Sequence, residues 1–289
     1  MNVQEGRELL RSWREDNVRR SMDVVDLWDS LLSQDPEALG DEKWMVLEQV
    51  AVAAMDVQRR DVVERCLKRL KAEFDLDSIR VRRLYGMRHE MMGDWESALK
   101  LYDTILEEDS ANSSARKRKI AIHRAKGERP QAIGELSRYL NDFLCDTEAW
   151  MELCDLYLEE RDYAKAAYCC EELILHNPNN HIYFQRYAEI KYTQGGMDNI
   201  EMAKTYYAKT LSLNPDNIRA LYGILLASFQ LASSNKMPAP KKQEFMKMVM
   251  WSSKQIQKRY QTKNAPIDPS RFIQAFVSQP PNGQSGASS

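Results

Sequence analysis

The sequence has 289 residues, 43% of them apolar and 29% charged, with 41 lysines and arginines set against 43 aspartates and glutamates for a net charge of −2. That balance belongs to a folded chain, and it supplies no overall basic field of the kind a dedicated nucleic-acid binder carries. The longest apolar run, about six residues from Val50 to Met55, falls far short of the roughly 18 needed to cross a bilayer. The charged segment Met1 to Arg20 lacks the apolar stretch of a secretory leader, which predicts a cytoplasmic chain. Five cysteines, Cys66, Cys145, Cys154, Cys169 and Cys170, are odd in number and without CxxC spacing. They read as small core residues in a reducing compartment, neither a disulfide framework nor a metal site. Glycine and proline are sparse before Asn264, and the body is rich in Leu, Ala, Glu, Lys, Arg and Met. The composition favours helix.

Taken in chain order, residues 5–17 and 22–34 predict an N-terminal helix pair within a cap spanning 1–40. Trp44 to Met55 and Asp61 to Phe74 predict a second pair, a degenerate repeat over 41–78. Self-similarity then becomes explicit. Ala98, Ala132 and Ala166 are equally spaced, and Ala203 comes slightly late, the excess being an insertion around Gly195 to Asn199. Four residues after each alanine stand Tyr102, Leu136, Cys170 and Tyr207; facing positions on the preceding helix are Gly86, Ile120, Cys154 and Ala188. The small residue on the first helix is expected to face the alanine of the second, so that their backbones approach closely while the large residues fill the space alongside. Turn chemistry recurs at Gly93-Asp94, Gly127-Glu128, Arg161-Asp162 and Gly195-Gly196.

The third unit carries Trp150, Leu153, Cys154, Tyr157, Ala166, Cys170, Leu173 and Pro178. This resembles the tetratricopeptide pattern, whose period of about 34 residues the alanines share, with Cys154 for the usual glycine and Cys170 for the usual aromatic. Pro178 ends the second helix. The expected fold is all-α, a tetratricopeptide-repeat α-solenoid, a right-handed superhelix of antiparallel helix pairs. Four repeats occupy 79–217, and a C-terminal helical cap occupies 218–262. Residues 263–289, with four prolines and two glycines after Asn264, predict a mostly disordered tail holding one short helix near Arg271 to Val277.

The chemical inventory is poor. His89 and His123 share one repeat position and substitute for the aromatic that Tyr157 provides; His176 and His181 flank a helix end. No HExxH, phosphate-binding glycine loop or GxSxG elbow occurs. The chain is therefore read as no enzyme, with no cofactor and no metal. Cys169 and Cys170 are adjacent, but neighbours on a helix diverge by about 100°, and Cys170 fills a packing position. The sequon Asn112-Ser113-Ser114 is idle in a cytoplasmic chain.

What remains is a binding surface. In such repeats the first helix of each unit lines the concave side through its second, fifth, ninth, twelfth and thirteenth positions. This selects Arg80 and Arg83, then Lys117 and Arg124, part of the basic stretch Arg116-Lys117-Arg118-Lys119. The next two units present Glu148, Asp155, Glu159 and Glu189 with Met151, Tyr192 and Thr193. A groove running from basic to acidic suits a peptide of mixed charge, with Tyr192 as an aromatic anchor. An alternative is a soluble co-chaperone gripping chaperone C-terminal peptides. That clamp needs lysine and asparagine where this sequence has Arg83 and Met87, and further basic groups two units later where it has Glu148 and Glu152.

Beyond the general repeat, the strings EQVAVAAMD (48–56), LYDTILEED (101–109), ARKRKIAI (115–122), DYAKAAYCCEEL (162–173) and YTQGG (192–196) resemble the family of tetratricopeptide second subunits of the endoplasmic reticulum membrane protein complex. The likeness covers roughly residues 5–262, departs after Gln261, and has Ser110 where a repeat proline can sit. It implies a non-catalytic scaffold on the cytosolic face of the endoplasmic reticulum membrane. The implied partners are other subunits of the complex, namely the cytosolic ends of membrane-embedded subunits and a cytosolic subunit of the MPN fold. The implied task is support of transmembrane-segment insertion.

Overall fold

The computed structural model describes residues 2–33, 36–262 and 269–278; the rest of the expected tail, 263–268 and 279–289, lies outside the described residues. Every regular element among the described residues is helical. Two units, Met1–Tyr139 and Leu140–Ser289, divide the chain.

In the first unit, α1 (Val3–Glu15) starts in a capping box, where the Asn2 side chain takes the Glu5 amide and the Glu5 carboxylate returns to the Asn2 amide. Next come α2 (Ser21–Leu27), extended by a π-helical turn Trp28–Leu32, and a 3₁₀ stretch Pro36–Glu42 kinked at Gly40. Helices α3 (Lys43–Asp56) and α4 (Arg60–Phe74) follow. The apolar run of the sequence is the buried body of α3. Val46, Leu47, Val50, Ala51 and Ala54 are fully enclosed between α2, α4 and α5 (Ile79–Met92). A helix apolar on nearly all sides is stable in water only when neighbours cover it. Then α6 (Trp95–Glu108), α7 (Ser113–Ala125) and α8 (Arg129–Asp142) complete the series, the units parting inside α8.

The second unit contains α9 (Thr147–Glu159), α10 (Tyr163–His176), α11 (His181–Gln194), α12 (Met197–Leu213), α13 (Ile218–Ser233), α14 (Ala239–Thr262) and α15 (Ser270–Ser278). Helix α15 stands where the sequence predicts a short helix, and its Ile273 is buried with Leu221, Leu225 and Ile256. Consecutive helices pack on one another from α9 to α14.

Helix starts follow the polar residues of the repeat. Asp94, Asn112, Asp146, Asp162 and Asn217 each cap a helix by accepting the amide three residues on. The left-handed turn residues Gly93 and Gly127 recur in the next repeat as Arg161, with φ 58°. Arginine there carries the steric penalty that glycine avoids, of about 1 kcal/mol. The small first-helix residue meets the alanine of the second in the third repeat, where Sγ of Cys154 lies 3.5 Å from the Ala166 carbonyl oxygen, whereas the space at Gly86 is taken by the larger residue four positions after the alanine. Gly86 leaves room for the ring of Tyr102, and Sγ of Cys154 lies 3.6 Å from Sγ of Cys170.

Asn217 joins capping to a buried polar network. Its amide donates to Oε1 of Gln185 at 2.7 Å, and the His181 ring bridges Asn217 and Asn214. Asn217→Ala removes both the cap and a buried partner. The expected loss is about 2 kcal/mol in urea unfolding, with Asn217→Ser recovering roughly half because its hydroxyl restores the cap.

Candidate functional site

The cations selected on the first unit are engaged by the fold. Arg80 and Arg83, one turn apart on α5, both reach Glu48 of α3, Arg83 at 2.8 Å. Glu48 is largely covered, whereas the Arg80 side chain is 63% exposed, so a fixed internal counter-ion holds an otherwise outward guanidinium. On α7, Lys117 is exposed with its ammonium 5.6 Å from the Tyr139 ring centroid, and Arg124 is exposed at the helix end. Their neighbours in the basic run turn elsewhere. Arg118 bonds Glu90, and Lys119 bonds Asp103 at 2.6 Å.

Beside Arg80 lies an open cleft of about 420 Å³. Its wall is apolar where Trp13, Val18, Met45 and Val52 meet, and Arg19 with Asp56 and Arg80 with Glu48 form its rim. The position arithmetic does not find this cleft, since it draws on the non-repeating N-terminal residues.

In the second unit Glu148 and Glu159 are exposed at opposite ends of α9. Asp155 binds Arg186 of α11, and Glu189 accepts from Gln185 at 2.8 Å while facing Arg219 of α13 at 3.5 Å. Each of these two acids therefore has a basic neighbour in the next helix pair, a pattern parallel to Glu48 with Arg80 and Arg83. Tyr192 is half-buried. It packs against Ala188, Ala203 and Tyr207 on one side and Ile200 and Leu231 on the other, and burial pushes its phenol pKa up. Its ring belongs largely to the packing, so little of it is offered to a ligand.

Two histidines of the repeat positions bind within the fold. His89 and His123 hold the same bond one repeat apart, Nδ1 to Asp94 at 2.9 Å and to Glu128 at 2.7 Å. Each latches a helix end to the turn that follows. At the same position of the third unit, the Tyr157 ring lies under the ammonium of Lys165. Burial pushes the Cys66 and Cys169 thiols up to about 12, far from the thiolate that redox chemistry uses. Asn112 of the sequon uses its side chain as the cap of α7. No group of metal-binding side chains occurs among the described residues, and no described helix is long and apolar enough to cross a membrane.

Comparison with known proteins agrees with this arrangement. A family model described as the EMC2 TPR-like repeat domain matches residues 75–197. ER membrane protein complex subunit 2-B of Xenopus laevis is 46% identical over 255 residues, covering 88% of this chain and 86% of that protein. ER membrane protein complex subunit 2 of Dictyostelium discoideum is 30% identical over 262 residues, covering 86% and 80%. Among solved structures, the C-terminal part of a TPR repeat-containing protein from Cytophaga hutchinsonii has a TM-score of 0.57 at 15% identity, covering 88% of this chain and 98% of that one. That last likeness is one of fold alone. The fold is an all-α tetratricopeptide-type solenoid, and identity sustained over most of both chains shows that the chain belongs to the ER membrane protein complex subunit 2 family.

Proposed function

We propose that the chain is a non-catalytic scaffold subunit of an endoplasmic reticulum membrane protein complex. It lies at the cytosolic face and holds the cytosolic segments of membrane-embedded subunits and an MPN-fold cytosolic subunit, so supporting transmembrane-segment insertion. The observation that carries this reading is the 46% identity to a named subunit over 88% of the chain. Packing supports it, because charged side chains fixed by neighbours in adjacent helices form a preorganised surface, and the ordering entropy on binding falls mainly on the ligand.

Within that reading, Arg80, Arg83, Lys117 and Arg124 receive acidic segments. Glu148, Asp155, Glu159 and Glu189 receive basic ones, with the exposed edge of Tyr192 beside them. Native purification from mild detergent is the test. Recovery in a stoichiometric membrane complex is expected, and recovery only with soluble chaperones overturns the proposal. Lys117→Glu with Arg124→Glu is expected to reduce co-purification of a membrane-embedded subunit at least tenfold while leaving the circular dichroism spectrum unchanged, because both side chains are exposed. Undiminished recovery removes these two residues from the surface.

A further inference from the structure

Most arginines of this protein are neutralised by its own carboxylates. Arg7, Arg11 and Arg14 share Glu42, Arg80 and Arg83 share Glu48, and Arg82, Arg88 and Arg186 each bind one acid. Helix α14 departs from this rule. Over its 24 residues it has Lys241, Lys242, Lys247, Lys254, Lys258 and Arg259 against one acid, Glu244. Arg259 turns to the Pro215 carbonyl and Asp216, whereas Lys247, Lys254 and Lys258 are exposed and make no ion pair with any described residue. Residues 263–289 contain one acid, Asp268, and so offer little counter-charge.

The same face carries apolar groups that the core does not use. Phe245, Val249, Ser252 and Ile256 point inward and are buried. On the opposite side Met246, Met250 and Trp251 are 38%, 57% and 49% exposed. At about 100° per residue, these three and the three lysines fall within one arc of roughly 140°. Apolar and cationic groups therefore share one outward stripe.

We infer that the outer face of α14 docks on the anionic phospholipid headgroup layer of a membrane. A protein helix laid on this stripe meets a lysine beside every apolar group. A headgroup layer accommodates both, since the indole and thioethers enter the acyl boundary while each lysine stem lies along it with its ammonium at phosphate depth. Tryptophan is the side chain most at home at that boundary. The inference rests on α14 alone and stands apart from membership of a complex, because its test contains no other protein.

Sedimentation of the full chain with vesicles of phosphatidylcholine, one lipid in four replaced by phosphatidylserine, is the experiment. Binding is expected at low salt, with strong weakening at 0.5 M salt and little binding to pure phosphatidylcholine. Lys247→Glu, Lys254→Glu and Lys258→Glu together are expected to lower the partition coefficient on the order of a hundredfold. Trp251→Ala with Met250→Ala is expected to lower it about tenfold or more and to abolish the blue shift of tryptophan emission on vesicle addition, with helicity retained in every variant. Failure of the wild-type chain to bind, or equal binding by the lysine variant, overturns the assignment. Binding of polyglutamate without binding of vesicles also overturns it, and marks the face as a site for acidic protein segments.

Discussion

Glu42→Gln is expected to destabilise the protein by about 3 kcal/mol at neutral pH, read from the urea midpoint at unchanged slope. Glu42 is almost fully buried at the start of α3 and accepts hydrogen bonds from Arg7, Arg11 and Arg14, all on α1. Three guanidiniums at spacings of four and three residues form one cationic stripe along α1, and a single carboxylate seats that stripe on the fold. The Arg11 hydrogen bond, with those from Arg7 and Arg14, holds the Glu42 pKa at about 2 against burial, which pushes it up. The unfolded value lies near 4.5, so the stabilisation is fully present above that pH and is lost as pH falls through about 2. The interval corresponds to about 3 kcal/mol, the same size as the loss expected for Glu42→Gln. The gap between wild type and Glu42→Gln is therefore expected to hold from pH 7 to pH 5 and to narrow steadily below pH 4. A gap independent of pH removes the carboxylate as its cause.

Neither the partner nor the size of this contact is legible in the sequence, and the reason is physical. The repeat helices declare themselves because one contact geometry recurs in every unit, so Ala98, Ala132 and Ala166 occupy equivalent, fully buried places. Glu42 belongs to no repeat. It follows a kink at Gly40 and joins residues 28 to 35 positions away, a separation that periodicity does not address. The candidate surface is legible to the same partial extent. Position arithmetic selects Arg80, Arg83, Asp155 and Glu189, but their charge outward depends on Glu48, Arg186 and Arg219, which stand in other helices. Tyr192 shows the limit most plainly, because its position fits an anchor while the clusters on both sides draw it half into the core. Composition is silent about the stripe on α14 for a related reason. A net charge of −2 averages its free lysines with acids that are already paired elsewhere.

The close pairing at Gly86 allows a change of sign to be measured. A Cβ added there stands 2.6 Å from Cζ of Tyr102, and neither can move freely, because the ring is fully buried and its hydroxyl donates to Glu90. In an unobstructed helix interior, glycine to alanine gains about 1 kcal/mol through reduced backbone freedom. Here overpacking, about 1–3 kcal/mol on its own, outweighs that gain, and Gly86→Ala is expected to destabilise by about 1–2 kcal/mol. Tyr102→Leu removes the ring tip and leaves a cavity, with an expected loss of about 2–3 kcal/mol. In that background, Gly86→Ala is expected to become stabilising by about 0.5–1 kcal/mol, since the added methyl enters vacated space and the propensity gain returns. The coupling between the two positions is then about 1.5–3 kcal/mol. Gly134→Ala serves as the control. The nearest group to its added Cβ is the Arg138 guanidinium at 3.9 Å, so it is expected to stabilise whatever residue occupies position 102. If Gly86→Ala costs the same with leucine at position 102 as with tyrosine, steric complementarity between these two side chains is not what requires glycine in this repeat, and the backbone of α5 itself carries the requirement.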